Sequence, residues 1–242
     1  MTTLLEVDSL GARAGSRWIV ERVTFQARAG EITAVIGPNG AGKTTLLETI
    51  AGLRPTDAGE VRVSGRPLLR FADRARSFSY LPDAGVLPPE TSVRTLVEHA
   101  KKRASRKGAL DALVEDLRIA PLLPQTVALL SRGEHQRVGL FCALAAGRPI
   151  ALLDEPFSAF DPLQLRNVLS VVRELAKTPM AIVASIHQLA DAEKIADKIL
   201  LLADGKPIAF GDPASLRART GKDSASLEEV FVSLLSESGH AT

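Results

Sequence analysis

The sequence predicts an α/β protein with a mostly parallel sheet, an N-terminal antiparallel β subdomain and an inserted α-helical subdomain. Three observations predict it. The apolar runs Thr33–Ile36, Ile150–Leu153 and Ala181–Ile186 are short enough for strands buried on both faces, and helical patterns lie between them. The first third of the chain alternates apolar and polar residues in the manner of half-buried strands. From Asp83 to Leu130 the texture becomes helical and richer in proline and lysine.

Taken in order, Leu5 and Val7, then Ile19, Val23 and Phe25, then Val61 and Val63 before the Ser64-Gly65 turn, give the small antiparallel sheet. Thr33–Ile36 is a strand that runs into a glycine-rich loop, and Leu46, Leu47, Ile50 and Ala51 follow at helical spacing. The inserted lobe begins after Asp83, with Pro88-Pro89, a stripe of Val93, Leu96 and Val97, a basic run from Lys101 to Lys107, and Leu110, Leu113, Val114 and Leu117. Leu165, Val168, Leu169, Val172 and Leu175 form a helix between the last two apolar strands. Leu200–Ala203, Asp204-Gly205 and Ile208–Phe210 read as a closing hairpin, and Leu227, Val230, Phe231, Leu234 and Leu235 as a final amphipathic helix. The economical division is one domain over 1–242, with a core of 1–83 and 147–242 and a helical subdomain at about 84–146.

Composition narrows the function classes. With 242 residues, 45% hydrophobic and 24% charged, the chain can bury one substantial core. A formal net charge of only +2 gives no footprint for nucleic acid as a partner. No stretch approaches the ~20 apolar residues that span a bilayer, and residues 1–8 do not read as a secretory signal, so a cytoplasmic protein is expected. The single cysteine, Cys142, sits among Leu140, Phe141, Ala143 and Leu144 and reads as a buried thiol. The basic run from Lys101 reads first as a solvated helix face.

Gly37, Pro38, Asn39, Gly40, Ala41, Gly42, Lys43 and Thr44 fit the phosphate-binding loop pattern in full, between a predicted strand and helix. The glycines let backbone N–H groups close around phosphate oxygens, with Thr45 next in the helix, and Lys43 reaches the β- and γ-phosphates. Thr44 would place its hydroxyl on Mg²⁺. These features identify a P-loop NTPase core. Asp154 and Glu155 arrive at the carboxyl end of an apolar strand, where open parallel sheets meet ligands. Asp154 suits Mg²⁺ and Glu155 suits polarising an attacking water; alone, the pair also fits a surface loop before Pro156.

The stretch Leu130-Ser131-Arg132-Gly133-Glu134-His135-Gln136-Arg137 resembles the signature motif of the ATP-binding cassette family. The resemblance runs over essentially the whole chain in the family's order: phosphate loop, helical lobe, signature, Asp154-Glu155, then Ser158-Ala159-Phe160-Asp161 like the D-loop and His187 like the switch histidine. It implies ATP and Mg²⁺ as cofactors, with Lys43, Glu155 and His187 as catalytic residues. It further implies two ATPs sandwiched in a head-to-tail dimer, in which Ser131, Gly133 and Glu134 contact nucleotide on the opposite subunit and Asp161 couples the sites. Alone, Ser131-x-Gly133-Glu134 also fits a plain helix cap, and His187 a structural histidine.

Three positions depart from the family. Arg132 replaces the middle glycine of the signature's usual pair and leaves Ser131 and Gly133 available. Asp83, in Ser79-Tyr80-Leu81-Pro82-Asp83, stands where a glutamine usually contacts Mg²⁺, and a carboxylate there adds negative charge beside the triphosphate. Ala14 stands where an aromatic residue usually stacks on adenine, with Arg13 and Trp18 as substitutes and Trp18 equally suited to the antiparallel sheet. The resemblance implies an ATPase that drives separately encoded integral membrane permease subunits as a homodimer or with a homologous ATPase subunit, peripheral on the inner face of the cell membrane. A soluble cassette ATPase and a nucleotide-sensing module are the other classes it admits. The segments 88–94 and 226–231 look similar to the drug-, lipid- and polysaccharide-export type.

Overall fold

A computed structural model describes residues 2–83, 87–103, 107–220 and 226–237. The chain opens with two long strands, β1 (Thr3–Ala14) and β2 (Arg17–Arg28), followed by β3 (Ile32–Ile36) and helix α1 (Lys43–Ala51). β4 (Ala58–Val63), β5 (Arg66–Pro67), α2 (Phe71–Ser77) and β6 (Phe78–Leu81) come next. Three helices follow, α3 (Val93–Arg103), α4 (Lys107–Asp116) and α5 (Arg132–Ala145), with two short 3₁₀ turns between the last two. The remainder is β7 (Ile150–Leu153), α6 (Pro162–Ala176), β8 (Ala181–Ser185), α7 (Leu189–Ile195), β9 (Lys198–Ala203), β10 (Lys206–Gly211), α8 (Pro213–Arg219) and α9 (Leu227–Glu237).

Two sheets result, and both match the predicted fold class. The antiparallel sheet has the order β2-β1-β4-β5, and the larger sheet the order β10-β9-β3-β8-β7-β6. Within the larger sheet β6, β7, β8, β3 and β9 run parallel, and only β10, the second arm of the closing hairpin, runs antiparallel. The central strands β3, β7 and β8 are buried at every position because each pleat face meets a different core. Ala34, Ile36, Ala151, Leu153, Ile182 and Ala184 join the core under α5, α6 and α7, whereas Val35, Ile150, Leu152, Ala181 and Val183 join the core shared with α1 and the antiparallel sheet. Val93 and Val97 of α3 and Leu110, Leu113 and Val114 of α4 belong to the first of these cores. Residues 104–106 of the basic run lie outside the described residues; Lys101 pairs with Asp111 of α4. The half-buried Cys142 thiol is pushed up to about 11 by burial, which makes it a packing residue.

One buried charge holds the far end of α1. Arg74 of α2 is buried, and its guanidinium donates to the carbonyls of Thr49, of Ile50 (3.2 Å) and of Leu68 (3.2 Å) and to Thr56 Oγ1 (3.3 Å). Four neutral acceptors and the negative end of a helix dipole stand in for a counter-ion, and burial lowers the Arg74 pKa. Gly52 ends α1 at φ 81, and a Cβ there would lie 2.5 Å from Arg74 Cδ. Arg74→Ala leaves the Ile50 carbonyl without its Arg74 donor and the Thr49 carbonyl with only the Gly52 amide (3.2 Å), and should cost about 2–3 kcal/mol. Urea denaturation checks this; an unshifted midpoint would show that α1 does not depend on the clamp.

Candidate active site

The phosphate loop is shaped by close packing at its two ends. A Cβ on Gly37 would lie 2.1 Å from the Leu202 carbonyl oxygen, so the loop can leave β3 against β9 only as glycine. Gly42 has φ 95 and a Cβ there would lie 2.6 Å from the Ile19 carbonyl oxygen, which again admits only glycine. Gly42 is the N-cap of α1 and no side chain caps that helix, so its first N–H groups are left for a ligand. Lys43, only 6% exposed, donates from Nζ to the carbonyls of Gly37 (2.8 Å) and Pro38 (3.3 Å). An ammonium has three donors, so one N–H remains for an incoming phosphate. A cavity of about 250 Å³ is lined by Ile19, by residues 39–45 and by Glu155.

Glu155 is there because β7 delivers it. Asp154 leaves the end of β7 with its amide donating to the Leu81 carbonyl (2.8 Å), and its side chain is 1% exposed. Ser185 Oγ donates to Asp154 Oδ1 (2.6 Å), while Oδ2 is buried with no hydrogen-bond partner. Burial raises the Asp154 pKa; the Ser185 and Thr44 hydroxyls beside it oppose that rise, and the charges of Asp83 and Glu48 add to it. A buried carboxylate oxygen without a partner, next to a threonine hydroxyl and further carboxylates, is the donor set a hard divalent cation such as Mg²⁺ takes up.

Glu155 itself sits in the left-handed region at φ 45, at a cost of about 1–3 kcal/mol for a non-glycine residue. Its amide donates to Ser185 Oγ (2.8 Å) and its carbonyl accepts from Gln136 Nε2 (3.3 Å). Besides the phosphate cavity, Glu155 lines a second cavity of about 160 Å³ together with Ser158, Ser185, His187 and Asp191. The structure thus brings Lys43, Thr44, Asp154, Glu155 and His187 to the carboxyl ends of β3, β7 and β8. Asp83 stands exposed in the turn after β6, and its charge bears on Asp154 and on Tyr80. Tyr80 is held protonated by burial first and then by the carboxylates of Asp154, Glu48 and Asp83.

Ser131, Gly133 and Glu134 are placed apart from this group, at the start of α5, and do not line the phosphate cavity of their own chain. Ser131 is the N-cap in a reciprocal capping box: Glu134 N donates to Ser131 Oγ (3.4 Å), and Ser131 N (2.9 Å) and Oγ (2.7 Å) donate to Glu134 Oε2. Those hydrogen bonds lower the Glu134 pKa. Gly133 faces the turn before α6, where a Cβ would lie 3.2 Å from the Ala159 carbonyl oxygen. Asp161 caps α6 through Leu163 N (2.9 Å) and Gln164 N (2.8 Å).

Of the two openings for Trp18, the structure takes the sheet. Its ring lies against Gly11, where a Cβ would approach Cζ3 to 2.8 Å, and the Arg13 guanidinium covers it at 3.9 Å from the centroid. Ile19, the next residue, lines the phosphate cavity. Sequence reasoning missed Ser185 and gave Gln136 no role. A serine inside the apolar run Ala181–Ile186 was the available signal.

Such a site defines a nucleoside-triphosphate-hydrolysing protein of the phosphate-loop class. A family model described as ABC transporter matches residues 20–158. The hemin import ATP-binding protein HmuV of Pseudomonas entomophila (strain L48) is 34% identical over 98% of both chains. The ABC-type transporter ATP-binding protein EcsA of Bacillus subtilis (strain 168) is 31% identical over 98% of this chain and 99% of that one. A solved structure described as the ATP binding subunit of an ABC transporter superposes with a TM-score of 0.85 at 32% identity, covering 96% of this chain and 99% of that one. This chain belongs to the ABC transporter family, as one of its ATP-hydrolysing subunits. The direction of transport is not decided by these relatives: HmuV is named an import protein, and a solved bacterial Atm1-family ABC exporter shares the fold with a TM-score of 0.81 at 24% identity, covering 96% of this chain and 41% of that one.

With Trp18 engaged by Arg13 and Gly11, its ring is expected to give the base none of the ~1–3 kcal/mol that aromatic stacking supplies. ATP and GTP should therefore be hydrolysed with kcat/KM values within about tenfold of each other. Parallel steady-state assays check this, and a preference for ATP beyond about a hundredfold would contradict it.

Proposed function

We propose that the chain binds ATP with Mg²⁺ at the edge formed by β3, β7 and β8 and hydrolyses it to drive transport through separate integral membrane permease subunits. The observation that carries this is the convergence on one cavity of the uncapped start of α1, the remaining N–H of Lys43 and the carboxylate of Glu155. Phosphate oxygens meet the amides of residues 39–45 and Lys43 Nζ. Thr44 and Asp154, with Asp83 near by, would hold Mg²⁺, which would supply neutralisation of charge on the phosphate oxygens. Glu155 accepts a proton from the attacking water, and His187, across the second cavity from it, holds that water or the γ-phosphate.

The reading continues to a dimer of this chain with a second copy or a homologous ATPase subunit. Its support is that Ser131, Gly133 and Glu134 stand at the start of α5, the positive end of its dipole, outside the cavity of their own chain. They would close the partner's site, with Asp161 between the two. The helical subdomain at about 84–146, set on the core of 1–83 and 147–242, is the lobe that meets the permease, which puts the chain at the inner face of the membrane. Among the described residues no helix is long and apolar enough to cross it. Nucleic acid has no part in this reading.

Glu155→Gln keeps the size and the polar character of the side chain and removes its basicity. Hydrolysis should slow by at least about a hundredfold while ATP binding and ATP-dependent dimerisation persist. Phosphate release and size-exclusion chromatography measure the two halves; equal turnover in the variant and wild type would remove Glu155 from the mechanism.

A further inference from the structure

We infer that Ser185 is a positioning residue whose single hydroxyl sets both the orientation of the Asp154 carboxylate and the backbone of Glu155. This rests on the reading of Asp154 as the metal-facing residue and Glu155 as the base. Ser185 is fully buried at the end of β8, the strand between β3 and β7, and it stands in register with Val35. A hydroxyl has one proton to donate. That proton is spent on Asp154 Oδ1 at 2.6 Å, and the oxygen accepts from Glu155 N at 2.8 Å. The direction of this relay is fixed, because a backbone amide can only donate and the carboxylate can only accept.

Two consequences follow for the site. Pinning Oδ1 decides which carboxylate oxygen is left over, and Oδ2 is the buried atom without a partner. An unpinned carboxyl would turn about its last bond and present no fixed donor to a cation. The second consequence concerns Glu155, whose amide meets no backbone carbonyl at this point and whose φ of 45 is a conformation its side chain disfavours. Ser185 satisfies the amide, and the carbonyl accepts from Gln136 Nε2, on the helix that begins at the signature, and from the Ser158 amide, each at 3.3 Å. The base is thereby tied to the metal-facing acid through one oxygen atom, and both are set by the same strand.

The test compares Ser185→Ala and Ser185→Thr with wild type as full-length chains. Three quantities are read: affinity for a fluorescent ATP analogue without Mg²⁺, the Mg²⁺ concentration giving the half-maximal gain in that affinity, and kcat. Ser185→Ala should leave Mg²⁺-free binding within about twofold, raise the Mg²⁺ midpoint several-fold and lower kcat by about tenfold to a hundredfold. Ser185→Thr, which keeps the hydroxyl, should restore both. Wild-type midpoint and kcat in Ser185→Ala would overturn the inference. So would an equal loss of kcat in both variants with an unmoved Mg²⁺ midpoint, since that is the mark of packing alone. If the alanine variant does not fold, Ser185→Cys replaces it, a weaker donor of similar size that should fall between wild type and the losses expected of alanine; wild-type values there overturn the inference too. Asp154→Asn and Glu155→Gln run alongside: wild-type behaviour in these would sink the underlying reading, whereas wild-type behaviour confined to the Ser185 variants sinks only the positioning role.

Discussion

The parallel pairing of β8 with β3 on one side and with β7 on the other is the constraint on which the site rests. Its register puts Ser185 opposite Val35 and Ala184 opposite Leu153. Adjacent strands lie about 4.8 Å apart, so the chain leaves all three strands close together, with Gly37, Asp154 and Ile186 as the following residues and His187 next after Ile186. A slip of one residue would turn every side chain of the slipped strand to the other face. Here each face belongs to a separate apolar core, and the alternation of Ile182 and Ala184 with Ala181 and Val183 locks the register from both sides.

What these strands hold at their ends is polar and partly unfavourable on its own. Asp154 is buried with one oxygen unmatched, Glu155 occupies a left-handed backbone conformation, and the start of α1 has no cap. Each is a local cost that a ligand or a neighbouring side chain offsets. Ser185 and Gln136 offset part of it from within the chain. At the opposite end of α1, Arg74 binds the last carbonyls, so the helix that carries Lys43 and Thr44 is held from behind. The phosphate loop is thus anchored through both ends of its helix, with the first amides of α1 uncapped.

Much of this was legible in the sequence because it is local. The glycine spacing of residues 37–44, the apolar runs of β3, β7 and β8, and the turn at Asp204-Gly205 each declare themselves within about ten residues. Ser185 was not legible, because its hydroxyl acquires meaning only when β7 and β8 pair and bring residues about thirty positions apart into contact. The direction of the Trp18 ring was likewise hidden. It depends on register shifts along β1 and β2 that decide which face of the hairpin Arg13 and Trp18 share. Ser131 taken alone fits a cap and its place among the motifs a nucleotide contact; within one chain it is a cap.

The central claim is that Asp154 Oδ2 is left unmatched to take a divalent cation that accompanies ATP, and calorimetric titration of ATP into wild type and Asp154→Asn, with and without Mg²⁺, tests it most directly. Mg²⁺ should tighten ATP binding to wild type, and in Asp154→Asn most of that gain should vanish while Mg²⁺-free binding stays within about threefold. An undiminished gain from Mg²⁺ in the variant would contradict the account.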